Sequence, residues 1–127
     1  MILGIGTDIV EVARIKKAAS RLRFVDKCFT DGEMAHCIAK KTSKYQSMAG
    51  LFAAKEAVAK AIGSGFRGFL PRDIEIIHDE KGAPRVKLSK HILLPGGSNS
   101  GGETKIMLSI SHEKHYATAI ALLVLAG

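Results

Sequence analysis

The sequence predicts an α+β fold in which a strand and several helices precede antiparallel hairpins. Residues Met1 to Val10 alternate Ile and Leu with Gly, as in a strand, and Lys44 to Ile62 form a proline-free run rich in Ala, Lys, Met and Glu, as in a helix. The second half of the chain contains two pairs of apolar segments, each pair interrupted by a short polar turn. Helices and strands that occur in separate runs are typical of the α+β class.

The N-terminal strand leads directly into a helical pattern over Glu11 to Ala19, which places Asp8 near the end of the strand. Thr30-Asp31-Gly32-Glu33 has the Ser/Thr-x-x-Glu form of a capping box. A second helix is therefore predicted to begin at this point.

The predicted helix over Lys44 to Ile62 has a capping sequence at each end. Ser43-Lys44-Tyr45-Gln46 is the Gln version of a capping box, and Gly63 follows the last apolar residue as a C-terminal glycine cap. We predict that this is the longest helix of the chain.

The first predicted hairpin pairs Asp73 to His78 with Pro84 to Leu88 around a short loop that contains Gly82. Ser89 to Leu94 is interpreted as a short helix. The next segment, Pro95 to Thr104, contains four glycines, two serines and an asparagine, and this composition favours a surface loop.

The second predicted hairpin closes the chain. Lys105 to His112 and His115 to Leu125 read as antiparallel strands around a turn at Glu113 and Lys114.

The length and composition predict one domain, residues 1–127. Hydrophobic residues make up 46% of the chain and charged residues 24%, as in globular proteins. Nineteen Lys and Arg against 12 Asp and Glu give a charge of +7, which favours an anionic partner such as nucleic acid, a membrane surface, a phosphorylated ligand or an acidic protein.

The chain is expected to be cytoplasmic. Its longest apolar run, Ala117 to Ala126, is too short to span a bilayer, and the first residues lack the layout of a signal peptide. Cys28 and Cys37 lack metal-ligand spacing, so free thiols in a reducing compartment are expected.

Glu56 and Lys60 are candidate functional residues on the long helix. Four residues apart, they share a helix face, so an ordinary solvated ion pair is one interpretation. The alternative is that they face a cleft or a ligand, because the segments around them, Phe52 to Ala54 and Ala57 to Ala59, are apolar and mostly small.

Asp8 also allows two interpretations. It lies among apolar strand residues, where a carboxylate needs a cation or hydrogen-bond donors to offset burial. It could instead cap the helix that follows. Gly4 and Gly6 near it complete neither a dinucleotide-binding nor a Walker fingerprint.

Two further clusters carry charge. His112-Glu113-Lys114-His115 lacks the spacing and the helix of a protease zinc motif, although His112 at a strand end could contact phosphate. A basic stretch on and just after the first helix is either a solvated face or a docking surface for an acidic partner, and it comprises Arg14, Lys16, Lys17, Arg21 and Arg23.

Three segments together resemble holo-acyl-carrier-protein synthases, the short type of 4′-phosphopantetheinyl transferase. They are Gly4 to Ile9, Phe52 to Ala57 with Lys60, and Ser109 to His112. The resemblance covers essentially the whole chain. It implies a phosphopantetheinyl transferase-like α+β fold in a single copy, in a trimer with active sites between subunits.

The resemblance also implies site residues. Asp8 and Glu56 would bind Mg²⁺ together with the coenzyme A pyrophosphate, and this set of two carboxylates plus phosphate oxygens and water suits the ion. Lys60 would neutralise pyrophosphate charge, and Ser111 and His112 would lie near coenzyme A phosphates. The acceptor serine would attack the β-phosphate, with its proton going to Glu56 or to a metal-bound water.

For partners, the resemblance implies an acidic acyl carrier protein that meets Arg14, Arg21 and Arg23, in support of fatty acid biosynthesis. One departure concerns Leu51, which stands where the family often has an Arg that would contact a phosphate.

Two alternatives remain beside this reading. A nucleic-acid-binding module would explain the charge, but an aromatic content of 6% offers few side chains for base stacking, and the motifs of such modules are absent. A relative that binds coenzyme A without transferring it is disfavoured because Asp8, Glu56 and Lys60 are all present.

Overall fold

The computed structural model describes residues 1–95 and 103–126 of the chain. Within these ranges the elements are β1 (Ile2–Glu11), α1 (Val12–Ala18), α2 (Leu22–Cys28), α3 (Asp31–Ile38), α4 (Lys44–Ile62), β2 (Ile74–His78), β3 (Pro84–Leu88), β4 (Glu103–His112) and β5 (Tyr116–Ala126). Short 3₁₀ turns, Lys41–Ser43 and Pro71–Asp73, precede α4 and β2. The predicted α+β class is confirmed.

The strands form two antiparallel groups. The order β1-β5-β4 makes a three-stranded sheet with β5 in the centre, so the first strand of the chain pairs with the last. The separate hairpin of β2 and β3 is the predicted one, and in it Ile76 pairs with Val86. The β4–β5 hairpin pairs Ser109 with Ile120.

Helix α4 covers one face of the three-stranded sheet, which we call the inner face. Its small side chains, including the fully buried Ala53 and Ala57, pack towards Ala117 and Ala121 of β5, which are also fully buried. The helix ends where the sequence predicts, since Gly63 adopts the left-handed conformation with φ 93°.

The glycines of β1 allow its backbone to lie directly against α4. A Cβ atom at Gly4 would clash with the carbonyl oxygen of Ala61, and one at Gly6 would clash with that of Ala57. These glycines therefore serve close packing of strand and helix, and they set the position of Asp8 two residues further on.

The opposite face of the sheet, which we call the outer face, is exposed and partly apolar. The side chains of Ile5 and Ile9 on β1, Met107 on β4 and Ile120 on β5 are between 41% and 64% exposed. Strand register places these residues on one surface, because they alternate with the residues that face α4.

Two predicted local features are wrong. Ser89 to Leu94 is not a helix but a turn, in which the Ser89 backbone and hydroxyl both donate to Asp73. A segment of six residues does not offset the cost of nucleating a helix by itself. The hydrogen bonds to Asp73 stabilise the turn instead. Ser43 does not cap α4 through its side chain, because the preceding 3₁₀ turn holds it at φ −94° and ψ 13° instead of in an extended conformation.

Other boundaries agree closely with the sequence. The capping box at Thr30 is confirmed, since Thr30 and Glu33 each accept from the other's backbone N–H. The predicted glycine-rich loop is shorter at its C-terminal end, because Glu103 and Thr104 pair with β5; residues 96–102 lie outside the described residues. Helix α2 was not located from the sequence.

Candidate active site

Asp8 and Lys60 meet at the edge where β1 lies against α4. The Lys60 Nζ atom donates to the Thr7 carbonyl at 2.8 Å and lies 3.4 Å from the Asp8 Oδ1 atom. The Asp8 side chain is 17% exposed and that of Lys60 is 54% exposed. This arrangement follows from the glycine contact, since Gly6 lies against the helix turn between Ala57 and Lys60.

The two ordinary interpretations of these residues are wrong. Lys60 forms its ion pair with Asp8, and no Glu56–Lys60 salt bridge occurs within residues 1–95 and 103–126. Asp8 does not cap α1, because the N-cap position is occupied by Glu11, three residues later.

Glu56 faces the same edge and is half-buried. Burial is the main cause of a raised pKa for its carboxyl group, the negative charge of Asp8 raises it further, and the Lys60 ammonium partly offsets both. A divalent cation between Asp8 and Glu56 would stabilise the ionised form of Glu56, which burial and the Asp8 charge disfavour.

Within the described ranges, no group of three or more His, Cys, Asp and Glu side chains could hold a metal ion. Two carboxylates, such as Asp8 and Glu56, suit an ion that takes most of its ligands from water and substrate. Mg²⁺ binds in this way, through one or two carboxylates plus phosphate oxygens. The residues present fit this ion.

A groove of about 480 Å³ extends from Asp8 and Lys60 onto the outer face. The hydroxyl side chains that line it are Thr7, Ser109, Ser111 and Thr118. Ser111 therefore lines one groove together with Asp8 and Lys60.

His112, however, points to the inner face, as the next residue along a strand must. Its Nδ1 atom lies 3.3 Å from the Gln46 Oε1 atom, and its ring packs over Gly50 of α4. It lines a second groove, on the β4 side of the sheet, while Asp8 lies on the β1 side. A single copy of the chain therefore does not bring His112 to the carboxylates.

The basic stretch is exposed. Arg14 lies on α1, and Arg21 and Arg23 lie at the start of α2. On α1, the Lys16 Nζ atom lies 5.6 Å from the centre of the Tyr45 ring.

A buried ion pair beside the site was missed from the sequence. Lys55 is fully buried, and its Nζ atom lies 2.8 Å from both carboxylate oxygens of Glu33 and 2.6 Å from the carbonyl of Ile74. Glu33 also accepts from the backbone N–H of Ile76. The pair joins α3, α4 and β2 immediately next to Glu56. The indication of a buried charge in the sequence was Lys55 itself, which follows the apolar residues Phe52 to Ala54.

The cysteines are not candidate nucleophiles. Cys28 and Cys37 are free and buried, and burial is the main cause that raises their pKa values to about 11 and about 12. Both thiols are therefore protonated at neutral pH.

Comparison with known proteins identifies the family. Residues 4–121 match the model of the 4′-phosphopantetheinyl transferase superfamily. The chain belongs to this superfamily. The matched range contains Asp8, Glu56 and Lys60, the residues that meet at the β1–α4 edge.

Relatives within the superfamily are holo-[acyl-carrier-protein] synthases. The one from Clostridium novyi is 49% identical over 97% of this chain and 88% of its own length. The one from Fusobacterium nucleatum is 42% identical over 98% of this chain and its full length.

Solved structures agree. A Bacillus anthracis holo-(acyl-carrier-protein) synthase in complex with CoA (3′,5′-ADP) has a TM-score of 0.80 and 34% identity, covering 100% of this chain and 99% of that one. The Helicobacter pylori synthase in complex with coenzyme A has a TM-score of 0.74 and 32% identity, over 96% and 99% of the two chains. The predicted family, fold and enzyme class, a phosphopantetheinyl transferase, are confirmed.

Among the helices of the described ranges, none combines the length and the apolar character that crossing a membrane requires.

Proposed function

We propose that this phosphopantetheinyl transferase moves the 4′-phosphopantetheine group of coenzyme A to a serine of an apo acyl carrier protein in a Mg²⁺-dependent reaction that supports fatty acid biosynthesis. The observation that carries the proposal is the pair of partly buried carboxylates, Asp8 and Glu56, beside the Lys60 ammonium. Relatives that match nearly the whole chain are synthases of this type.

Asp8 and Glu56 would hold Mg²⁺, which supplies charge neutralisation at the pyrophosphate. The raised pKa of Glu56 means that binding the ion competes with a proton, so metal affinity falls as the pH is lowered through that pKa. Lys60, already oriented by the Thr7 carbonyl, adds a fixed positive charge at the same edge.

In the transfer step, the serine oxygen forms a bond to the β-phosphorus of coenzyme A. The bond from that phosphorus to the bridging oxygen breaks, and its electron pair leaves with adenosine 3′,5′-bisphosphate. The serine proton passes to a base, for which Glu56 is a candidate within this chain. Positioning and electrostatic stabilisation supply most of the catalysis in such reactions.

We also infer that the enzyme is a trimer with sites between subunits. The exposed apolar outer face supports this inference, because large apolar patches on monomers mark interaction surfaces. The placement of Ser111 and His112 in two separate grooves supports it too. A site between two copies could combine Asp8 and Lys60 of one subunit with the corresponding His112 of another.

The exposed Arg14, Arg21 and Arg23 would meet the acidic carrier protein, whose charge they complement. The free, buried thiols are compatible with the cytoplasm as the compartment of the reaction.

The decisive test is mass spectrometry of an apo acyl carrier protein after incubation with the enzyme, coenzyme A and Mg²⁺. We expect the mass of one phosphopantetheine to be added, no addition in the presence of a chelator, and recovery when Mg²⁺ is returned in excess. A carrier whose acceptor serine is replaced by alanine serves as the control. No mass gain with any of several apo carriers would overturn the proposal.

A further inference from the structure

Lys55 of α4 is fully buried, although it directly precedes Glu56, which the proposed function assigns to the metal ion. Its Nζ atom donates to both carboxylate oxygens of Glu33 at 2.8 Å, to the Ile74 carbonyl at 2.6 Å and to the Pro71 carbonyl at 3.3 Å. An ammonium group has three protons, so these acceptors occupy all of its donors. Lys55 therefore has no donor left for a substrate phosphate.

Glu33 on α3 has the complementary set of bonds. Besides Lys55, its carboxylate accepts from the Thr30 N–H at 2.9 Å and from the Ile76 N–H at 2.8 Å. The bonds to Ile74 and Ile76 lie on the edge of β2 that does not pair with β3, because a backbone group in an antiparallel pair points to one side only. The ion pair therefore takes the place of a neighbouring strand at that edge, with an ammonium as donor and a carboxylate as acceptor.

The pair joins three segments to a single atom of α4. These segments are α3, the Pro71–Asp73 turn and β2. Hydrogen bonds of charged groups are stronger and shorter than those of neutral groups. They therefore fix how α4 is rotated about its own axis at Lys55.

Glu56 receives its direction from this rotation. Successive side chains on a helix point about 100° apart, so a helix held at Lys55 turns Glu56 towards the β1 edge, where the Asp8 charge acts on it. On the other side of Glu56, the Ala57 carbonyl lies against Gly6. The carboxylate thus lies between a polar contact at the residue before it and a close backbone contact at the residue after it.

We propose that Lys55 is a positioning residue, which holds Glu56 in the orientation that binds the metal ion through its bonds to Glu33 and β2. This proposal rests on the proposed function, which assigns Mg²⁺ to Asp8 and Glu56. Because the ion takes only one or two carboxylates from the protein, the orientation of each one matters for its affinity. A residue that served stability alone would change the melting temperature and leave metal affinity unchanged.

The test variant is Lys55→Met/Glu33→Gln, which neutralises both partners. Removing one partner alone would leave a buried charge uncompensated, whereas replacing both members of a buried ion pair is often neutral for stability. Glutamine keeps an oxygen that can accept from the Thr30 or the Ile76 N–H, but methionine has no donor for the Ile74 carbonyl. The variant thus folds without the bonds that join Lys55 to β2.

Metal binding is measured with Mn²⁺, which takes the same oxygen ligands as Mg²⁺. Electron paramagnetic resonance reports the free ion as it is titrated into enzyme with excess coenzyme A and no carrier, so the reading does not require turnover. We expect the Mn²⁺ dissociation constant of Lys55→Met/Glu33→Gln to rise about tenfold, the lower end of the loss for residues that orient a metal ligand. Glu33→Asp keeps the charge but shortens the side chain, and it should give a smaller rise.

Val58→Ala is the matched control, because Val58 is fully buried on the same helix, three residues after Lys55, and makes apolar contacts only. Its melting temperature should fall because a cavity forms, while its Mn²⁺ affinity stays that of the unmodified enzyme. Unchanged Mn²⁺ affinity in both variants of the ion pair, or an equal loss in Val58→Ala, would overturn the positioning role.

The same titration separates this role from the proposed function. An unmodified enzyme that binds no Mn²⁺ in the presence of coenzyme A would overturn the metal site and the positioning role together. Failure of the carrier mass assay alone would overturn the transfer reaction and leave the Mn²⁺ result standing.

Discussion

Glu56 combines a half-buried position with a neighbouring carboxylate, and both raise its pKa. A raised pKa means that the folded protein disfavours the ionised form, so above that pKa the charge of Glu56 lowers the free energy of unfolding. Glu56→Gln removes this cost together with one proposed metal ligand. We expect transfer to fall by at least about a hundredfold, while the melting temperature at pH 7.5 stays equal or rises.

Transfer assays and thermal unfolding of the purified variant measure the two effects separately. Glu80→Gln makes the same chemical change at an exposed position in the β2–β3 turn and should alter neither quantity. A Glu56→Gln protein with normal turnover, or one that loses activity only because it unfolds, would contradict the metal role.

Lys55 and Glu56 show how two adjacent residues can serve different roles. Lys55 is enclosed by the carboxylate of Glu33 and the carbonyl of Ile74, whereas Glu56 faces the groove edge. A buried ion pair is weak as a source of stability, but removing one partner leaves an uncompensated charge and is strongly destabilising. The pair therefore makes the orientation of α4 next to Glu56 sensitive to either residue.

At the scale of elements, the contact between β1 and α4 builds the site. The Gly6 backbone lies so close to the helix that a Cβ atom would clash with the Ala57 carbonyl and approach the Lys60 Cβ atom to 2.8 Å. Gly6→Ala should push the strand away from α4, which would lower stability by about 1–3 kcal/mol and displace Asp8 from Lys60. Urea unfolding together with transfer assays would measure both effects.

Gly32→Ala on α3 is the matched control, because a Cβ atom there meets Glu75 at an ordinary 3.5 Å. Alanine also favours a helix by up to about 1 kcal/mol relative to glycine, so this variant should be as stable as the parent or more stable. An equally stable and active Gly6→Ala protein would show that the strand is not held by this contact.

For the whole molecule, the outer face is the feature that a single copy leaves unexplained. In a trimer, three copies of the 13.6 kDa chain give a mass of about 41 kDa. Met107→Lys places a charge on this face, away from the Asp8 groove, and should shift the mass measured by light scattering towards one chain while transfer is lost. The helical signal in circular dichroism should persist.

Ile38→Lys on α3 is its control, since Ile38 and Met107 are both 58% exposed but lie on different surfaces. It should keep the parental mass and activity. An unmodified enzyme that is monomeric and fully active would contradict the trimer.

Local signals were sufficient for most elements because they act over a few residues. The proline-free run and Gly63 located α4, and the Thr30–Glu33 box located α3. The prediction of a helix over Ser89 to Leu94 is wrong, because contacts with Asp73, distant in sequence, hold the chain in a turn. The motif residues Asp8, Glu56 and Lys60 were also recognisable in sequence, because their types and spacing resemble one family.

By itself, then, the sequence determined most of the helix and strand positions, the family, and which residues are the candidates for chemistry. Only the tertiary structure decided their partners: Lys60 pairs with Asp8, Lys55 is buried against Glu33, and Ser111 and His112 open onto different grooves. The physical reason is that spacing along the chain defines the face of a helix or strand on which a residue lies. Which other element covers that face is determined by packing of the whole molecule, here by the contact of β1 with α4.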